Sequence, residues 1–479
     1  MIEFLEPRIA PAGLIDVSFS GGNLVLKSLT GDAGDETATI TRIGADGITI
    51  APGANVAIRY EGTTFPPTTP LTLAGFSGSL TAKLGGGNDS LVLDGGNYSG
   101  DVRIDLGDGT DVLEIRGGAI NFVGKLTVSL GSGANQFALT ASDFHASKGL
   151  VVKSGSGNDL LTFASAKLVI DGGLSVATGG GSDTVQFTAG IAELSVEKNL
   201  IVATSGSRSA IIEQSFSGIG KINIGGNLTL SAGTGDRVQQ VLTGTTGTLA
   251  IGGDVAFSAT NPTEHTQVLA GGGTLGGSLR MTSRAIIGTQ TFSATTGTIA
   301  GEVTLRGGTS VVVDFGGTIP NDLSITTAKN SSANVALSSA TIDGNVRIAT
   351  KDGFGLSASI AIQDVILHGS LAVTGGIGAT TLRVNQADIA KTFTVALKDG
   401  ANRFLFEQEK QPGASIFRGD VNLTGGIDVD TFTIGGTADD SIQFLAAIIA
   451  DGRAGIDTLT EGAATTHPAG ASTQKINIP

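Results

Sequence analysis

The chain has 479 residues, of which 74 are Gly, 11 Pro, none Cys and none Trp, and it carries a formal net charge of −14. That much Gly without a Gly-X-Y period is not collagen, and with 40% apolar residues the chain can bury a core and is not a disordered linker. The absence of Cys removes disulfides, thiolate metal sites and a Cys nucleophile, while the acidic balance repels nucleic acid and anionic lipid.

Met1 to Gly13 has neither a basic n-region nor an apolar h-region, so a conventional signal peptide is not expected. No run of 18 apolar residues is present to span a bilayer. Residues 1–77 read as an N-terminal cap merging into irregular first rungs. Gly22-Asn23-Leu24-Val25-Leu26 and Asn55-Val56-Ala57-Ile58 already carry the chain's repeating phrase at loose spacing, and Phe65-Pro66-Pro67 marks a protruding loop.

The phrase is a small or polar residue followed by an apolar–x–apolar triplet. Its first apolar position runs from Leu80 through Val102, Leu126, Leu150 and Leu174 to Phe393 and Val421, covering 341 residues in 14 intervals of 20 to 28. A period in this range means stacked units in one elongated domain. Within a unit, Val102, Ile104 and Leu106 alternate with Asp101, Arg103 and Asp105, the period-2 pattern of a strand. Gly107-Asp108-Gly109-Thr110-Asp111 turns the chain, Leu113 and Ile115 mark a second strand, Gly117-Gly118 breaks it, and Ile120 and Phe122 mark a third. Units that resemble one another pair like with like, in parallel and in register. The prediction is an all-β, right-handed parallel β-helix (a β-solenoid) with three strands per rung and roughly 15–17 rungs of about 24 residues. Residues 78–436 form its regular part. Inward aliphatics stack in columns in a narrow, dry interior, and Asn and Ser at corners can form ladders. Residues 437–479 read as a C-terminal cap and tail, with a capping strand or short helix in Ser441 to Ala450 and a last strand at Lys475 to Ile478.

One motif carries chemistry. Gly85 to Leu91, Gly107 to Leu113, Gly155 to Leu161 and Gly179 to Val185 all read G-x-G-x-D-x-apolar, and Gly131 to Phe137 keeps the glycines but has Asn135 in place of Asp. The motif returns in part at Gly426 to Asp430 and Gly455 to Leu459. It resembles the calcium-binding nonapeptide of repeats-in-toxin proteins, in which Asp carboxylates and turn carbonyls hold calcium between coils. The resemblance implies Asp89, Asp111, Asp159, Asp183, Asp428, Asp430 and Asp457 as calcium ligands. Stacking would also place these carboxylates in a column, where like charges about 5 Å apart repel by around 3 kcal/mol at an effective dielectric of 20. A bound divalent cation removes that cost, and so would carboxylates that splay into solvent. The alternative is that the motif is only turn chemistry at a corner. The four histidines, His145, His265, His368 and His467, share no metal spacing and read as surface or corner residues. No P-loop, G-x-S-x-G elbow or H-E-x-x-H is present.

Gly226-Asn227-Leu228-Thr229-Leu230-Ser231-Ala232-Gly233 resembles the repeats of filamentous-haemagglutinin-type and autotransporter-passenger adhesins, which are right-handed parallel β-helices. Leu5-Glu6-Pro7-Arg8 is similar to the N-terminal L-E-P-R motif of exported proteins of planctomycetes and verrucomicrobia. Together the resemblances imply a bacterial surface or secreted protein. The leading expectation is a non-enzymatic extracellular structural or adhesive rod that meets an unknown surface ligand or itself, with no nucleic acid partner and no membrane span. Two alternatives stand beside it. One is a polysaccharide lyase or glycoside hydrolase on the same scaffold, and the other is a self-assembling filament or surface-layer subunit.

Overall fold

The structure is a computed structural model that describes residues 13–29, 34–206, 209–243, 248–285, 287–294, 297–329, 332–353, 355–407, 413–435, 440–469 and 471–478. Leu5-Glu6-Pro7-Arg8 lies outside the described residues. The chain divides into two compact units, Met1–Gly226 and Asn227–Pro479. Both are stacks of parallel strands, together a β-solenoid of about 16 turns with rungs about 24 residues apart, and no helix occurs among the described residues.

The first unit opens with antiparallel hairpins. Gly13–Ser20 pairs with Asn23–Ser28, and Thr37–Ile43 pairs with Gly47–Pro52. The second arm of one hairpin and the first of the other then start the parallel stack, with Leu24 opposite Leu80 and Ala38 opposite Leu91. These antiparallel pairs cover strands that would otherwise present unpaired backbone. From Leu80 the rungs follow in strict register: Val102 lies opposite Leu80 and Leu126, then Leu150 opposite Leu126 and Leu174. Three strands make a rung, as in Leu126–Ser129, Gln136–Leu139 and Asp143–Ala146.

The triplet's two apolar positions point inward. Val102, Ile104, Leu126 and Val128 are no more than 1% exposed. Aliphatic columns are only part of this interior. Phe163, Phe187 and Phe216 stack nearly parallel, with ring centroids 4.4 and 4.2 Å apart, because in-register strands place Phe over Phe. Each such pair contributes about 0.5–1.5 kcal/mol beyond its area burial.

The second unit repeats the pattern with its own residues. Leu228–Ala232, Val255–Ala259, Leu279–Thr282, Val303–Arg306 and Leu323–Lys329 stack in parallel. Asp440–Phe444 and Ile448–Asp451 are strands of a further rung rather than a helix, and Gln474–Ile476 adds a last strand beside Ile448–Asp451.

The strands that carry the triplet form one sheet, called the first sheet below, and before several of them the polar residue of the phrase locks rung to rung. Asp101 Oδ1 accepts the Lys125 N–H at 2.9 Å, Asp254 Oδ1 the Ser278 N–H at 2.7 Å, and Asp322 Oδ1 the Asn345 N–H at 2.7 Å.

Candidate functional site: the Gly-Asp corners

At each G-x-G-x-D corner the chain turns between the first and second strands of a rung. Gly107 and Gly109 have φ of +103° and +152°, and a Cβ on either would lie 1.6 Å from the carbonyl oxygen of Gly85 or Gly87 one rung earlier. Glycine is needed twice over, for the left-handed backbone and for the close stacking of turns.

The Asp that follows does not splay into solvent. Asp89, Asp111, Asp159 and Asp183 are no more than 2% exposed. Each offers Oδ1 to the backbone N–H of the equivalent residue one rung earlier. Glu36 donates to Asp89 at 2.8 Å, Asp89 to Asp111 at 2.8 Å, and Asp111 to Asn135 at 2.9 Å. Asn135 donates in turn to Asp159 at 2.9 Å, and Asp159 to Asp183 at 3.1 Å. In the second unit Thr380 donates to Asn402, Asn402 to Asp430 and Asp430 to Asp457, at 3.0, 2.9 and 2.7 Å. The predicted column therefore exists, with a backbone N–H interposed between successive carboxylates. Such N–H···carboxylate bonds are stronger than neutral ones.

Asp428 stands apart from the column. It is exposed, and its Oδ2 accepts the Gly400 N–H at 2.7 Å. In the first unit the residue directly before the column Asp is also used, Asn88 accepting the Thr110 N–H and Asn158 the Ser182 N–H from the following rung. Asp428 stands only two positions before Asp430, yet one faces water and the other the interior.

The second carboxylate oxygen differs between rungs. Ser154 Oγ donates to Asp159 Oδ2 at 2.7 Å, and Thr178 Oγ1 donates to Asp183 Oδ2 at 2.6 Å. In both rungs the hydroxyl stands five residues before the Asp. Asp430 Oδ2 instead accepts the Gly426 N–H at 2.7 Å. Asp111 has Leu106 five residues before it, and its buried Oδ2 receives no hydrogen bond; the same is true of Asp457 Oδ2. Asn135 also follows a Leu, Leu130, and its Nδ2 donates to Gly131 O and Gly133 O at 3.0 and 3.2 Å. Asn402 Nδ2 does likewise to Lys398 O at 2.9 Å. An amide thus supplies donors to turn carbonyls where Asp111, in the stacked turn, presents another acceptor.

Burial pushes the Asp111 and Asp183 carboxyls up to about 6 and raises Asp159 and Asp430 as well. Chemically, the corner holds rungs together and takes up protons in mildly acidic solution. Among the described residues no group of three or more His, Asp or Glu comes together in a way that could hold a metal ion.

The histidines divide. His145 is half-buried and His368 exposed, and they lie 2.8 and 2.6 Å from Asp171 and Asp343. His265 is not a surface residue: it is 1% exposed, its Nε2 is 3.0 Å from Gln240 Oε1, and burial pushes its pKa down to about 4. It joins a ladder that the aliphatic expectation missed. Gln240, Gln267 and Gln290 are fully buried, with Gln267 Nε2 donating to Gln240 Oε1 at 3.0 Å and Gln290 Nε2 to Gln267 Oε1 at 2.8 Å. Their amides also reach the carbonyls of Leu230, Thr282 and Met281. A signal was available, since Gln214, Gln240, Gln267 and Gln290 each stand two residues before Phe or Leu in consecutive repeats.

Set against protein families, curated proteins and solved structures, the chain matches none.

Proposed function

We propose that this chain is a non-enzymatic β-solenoid that serves as a structural or adhesive element outside the cell or at a bacterial cell surface. The observation that carries the reading is the use made of its polar side chains. The corner carboxylates, corner amides and interior amides are committed to the N–H and C=O groups of neighbouring rungs, so they stiffen a scaffold. The likeness of the rung phrase to adhesin repeats supports the surface setting. The test is incubation of the full chain with a panel of neutral and acidic polysaccharides, reading new reducing ends, together with fractionation of the source cells. The reading expects no cleavage and recovery in the surface or secreted fraction. Sustained turnover of any polymer favours a lyase or hydrolase on the same scaffold and overturns it.

Calcium binding at the corners is a second reading, favoured by the unpaired Oδ2 atoms of Asp111 and Asp457. Calcium takes six to eight hard oxygens. The Oδ1 atoms of the column are already engaged by backbone N–H groups, so the corner suits a proton on Oδ2 better than a divalent cation.

A further inference from the structure

The second unit carries a feature that its acidic composition hides. A cleft of about 640 Å³ opens on the first sheet at the C-terminal ends of four successive strands, and Arg280, Arg284, Arg306, Lys329 and Lys351 line it with no acidic residue among them. A neighbouring cleft of about 530 Å³ shares Lys329 and Lys351 and adds Lys398. Its one acid, Asp352, is buried, and its carboxylate accepts the N–H groups of Gly376 and Gly378. All six cations are exposed, and among the described residues none makes an ion pair. Lys329 and Lys351 are register partners on adjacent strands, a like-charge placement that disfavours the empty surface.

The charge is segregated along the strands. At the N-terminal ends, Asp254 and Asp322 are tied to backbone N–H groups, whereas Arg306, Lys329 and Lys351 are the last residues of their strands. With rungs about 4.8 Å apart, the cations from Arg280 to Lys398 form a line roughly 25 Å long. That is an address for an extended chain of negative charges rather than for one small anion.

We propose that this cationic strip binds a linear anionic polysaccharide, one bearing carboxylates or sulfates at regular intervals. Arg forks match carboxylate and sulfate oxygens, and the half-buried hydroxyls of Thr282, Thr304 and Thr326 suit sugar hydroxyls. A nucleic acid fits less well, because neither cleft is lined by an aromatic side chain on which bases could stack. The inference deepens the adhesive reading by naming the ligand class, and it rests on that reading.

The test is biolayer interferometry of the full chain on immobilised polygalacturonate, on a neutral galactan and on single-stranded RNA, at low and at high salt. The expected result is polygalacturonate binding that weakens as salt rises, with at least tenfold less binding to the neutral polymer and to RNA. The triple variant Arg306→Gln, Lys329→Gln, Lys351→Gln should lose at least tenfold. A control variant, Lys83→Gln with Arg103→Gln, alters exposed cations of the first unit and should bind as the parent does. Circular dichroism melts of both variants should superimpose on the parent, since every substituted side chain is exposed. Equal binding by the triple variant, equal binding of the neutral polymer, or preference for RNA overturns the proposal. If the parent binds no polymer yet still fractionates with the cell surface and cleaves nothing, the strip proposal falls and the scaffold reading stands.

Discussion

The rungs from Asp89 to Asp183 and those from Gln240 to Gln290 meet one requirement in two ways. In-register stacking leaves backbone N–H and C=O groups at the turns and along the interior that the strand ladders do not reach, and each must find a partner. The first set answers with carboxylates at a corner, each accepting an N–H from the rung before. The second answers with amides inside the rung, which both donate and accept. The carboxylate solution leaves buried charge, raised pKa values and, at Asp111, an oxygen without a donor. The amides are neutral and do not titrate, and His265 beside Gln240 is held neutral down to about pH 4. The comparison shows that a polar ladder is a general device of stacked rungs and that charge is an option within it.

The largest effect should come from breaking the amide ladder. Gln267→Ala removes the donor to Gln240 and the acceptor for Gln290, leaving buried polar groups unsatisfied beside a new cavity, and should cost about 3–5 kcal/mol. Denaturant unfolding read by circular dichroism measures this, and a loss below about 1 kcal/mol would mean that water replaces the amide. Next in size, Asp183→Ala strips acceptors from the Asp159 N–H and the Thr178 hydroxyl and should cost about 1–3 kcal/mol. Asp183→Asn keeps an acceptor for the N–H and should cost less.

The pH dependence sharpens the contrast. Asp111 and Asp183 have folded pKa values of about 6 against an ordinary value of 3.8, so between these pH values the native state holds more protons than the unfolded chain. Their contribution is therefore greatest below about pH 4, and it declines as pH rises through 6, by on the order of 1–3 kcal/mol for each carboxyl. Asp16, lowered by its hydrogen bond to Arg59, works the other way, so the slope is best read as the difference between the parent and a variant. Asp111→Asn, which installs the donor that Asn135 already uses, should flatten the Tm against pH curve and leave stability at pH 7 unchanged or higher. Lower stability at every pH would show that the Asp111 carboxylate has a partner of its own. The smallest expected effect is that of calcium. Excess calcium or chelator should move Tm by no more than a degree or so, and a shift of several degrees that Asp111→Asn abolishes would establish the metal reading.

Much of the architecture was legible in the sequence, because parallel in-register stacking writes the same phrase at the same place in every rung. The triplets from Leu80 to Val421 mark strands, and the alternation in Val102, Ile104 and Leu106 gives the buried face. The corner glycines and the Asp column were readable from G-x-G-x-D. The direction of the carboxylates was not, because a motif records residue types and not which backbone N–H lies one rung away. The motif groups Asp428 with Asp430 for that reason, although one is exposed and the other buried. The aromatic columns at Phe163, Phe187 and Phe216 and the amide ladder escaped a reading that looked only for aliphatic alternation.

Adjacent repeats lie in direct register, and the absence of Cys from the sequence allows a clean test of it. Thr127 and Val151 are lateral partners in neighbouring strands, whereas Thr127 and Ser175 are two rungs apart. At the strand spacing of about 4.8 Å the first pair falls within disulfide reach, and the second pair, at twice that distance, does not. Under mild oxidation, Thr127→Cys with Val151→Cys should form an intrachain disulfide in nearly every molecule, and Thr127→Cys with Ser175→Cys should form none. The reverse pattern, or equal yields from both pairs, would contradict the stacking on which the corner ladder, the amide ladder and the cationic strip all depend.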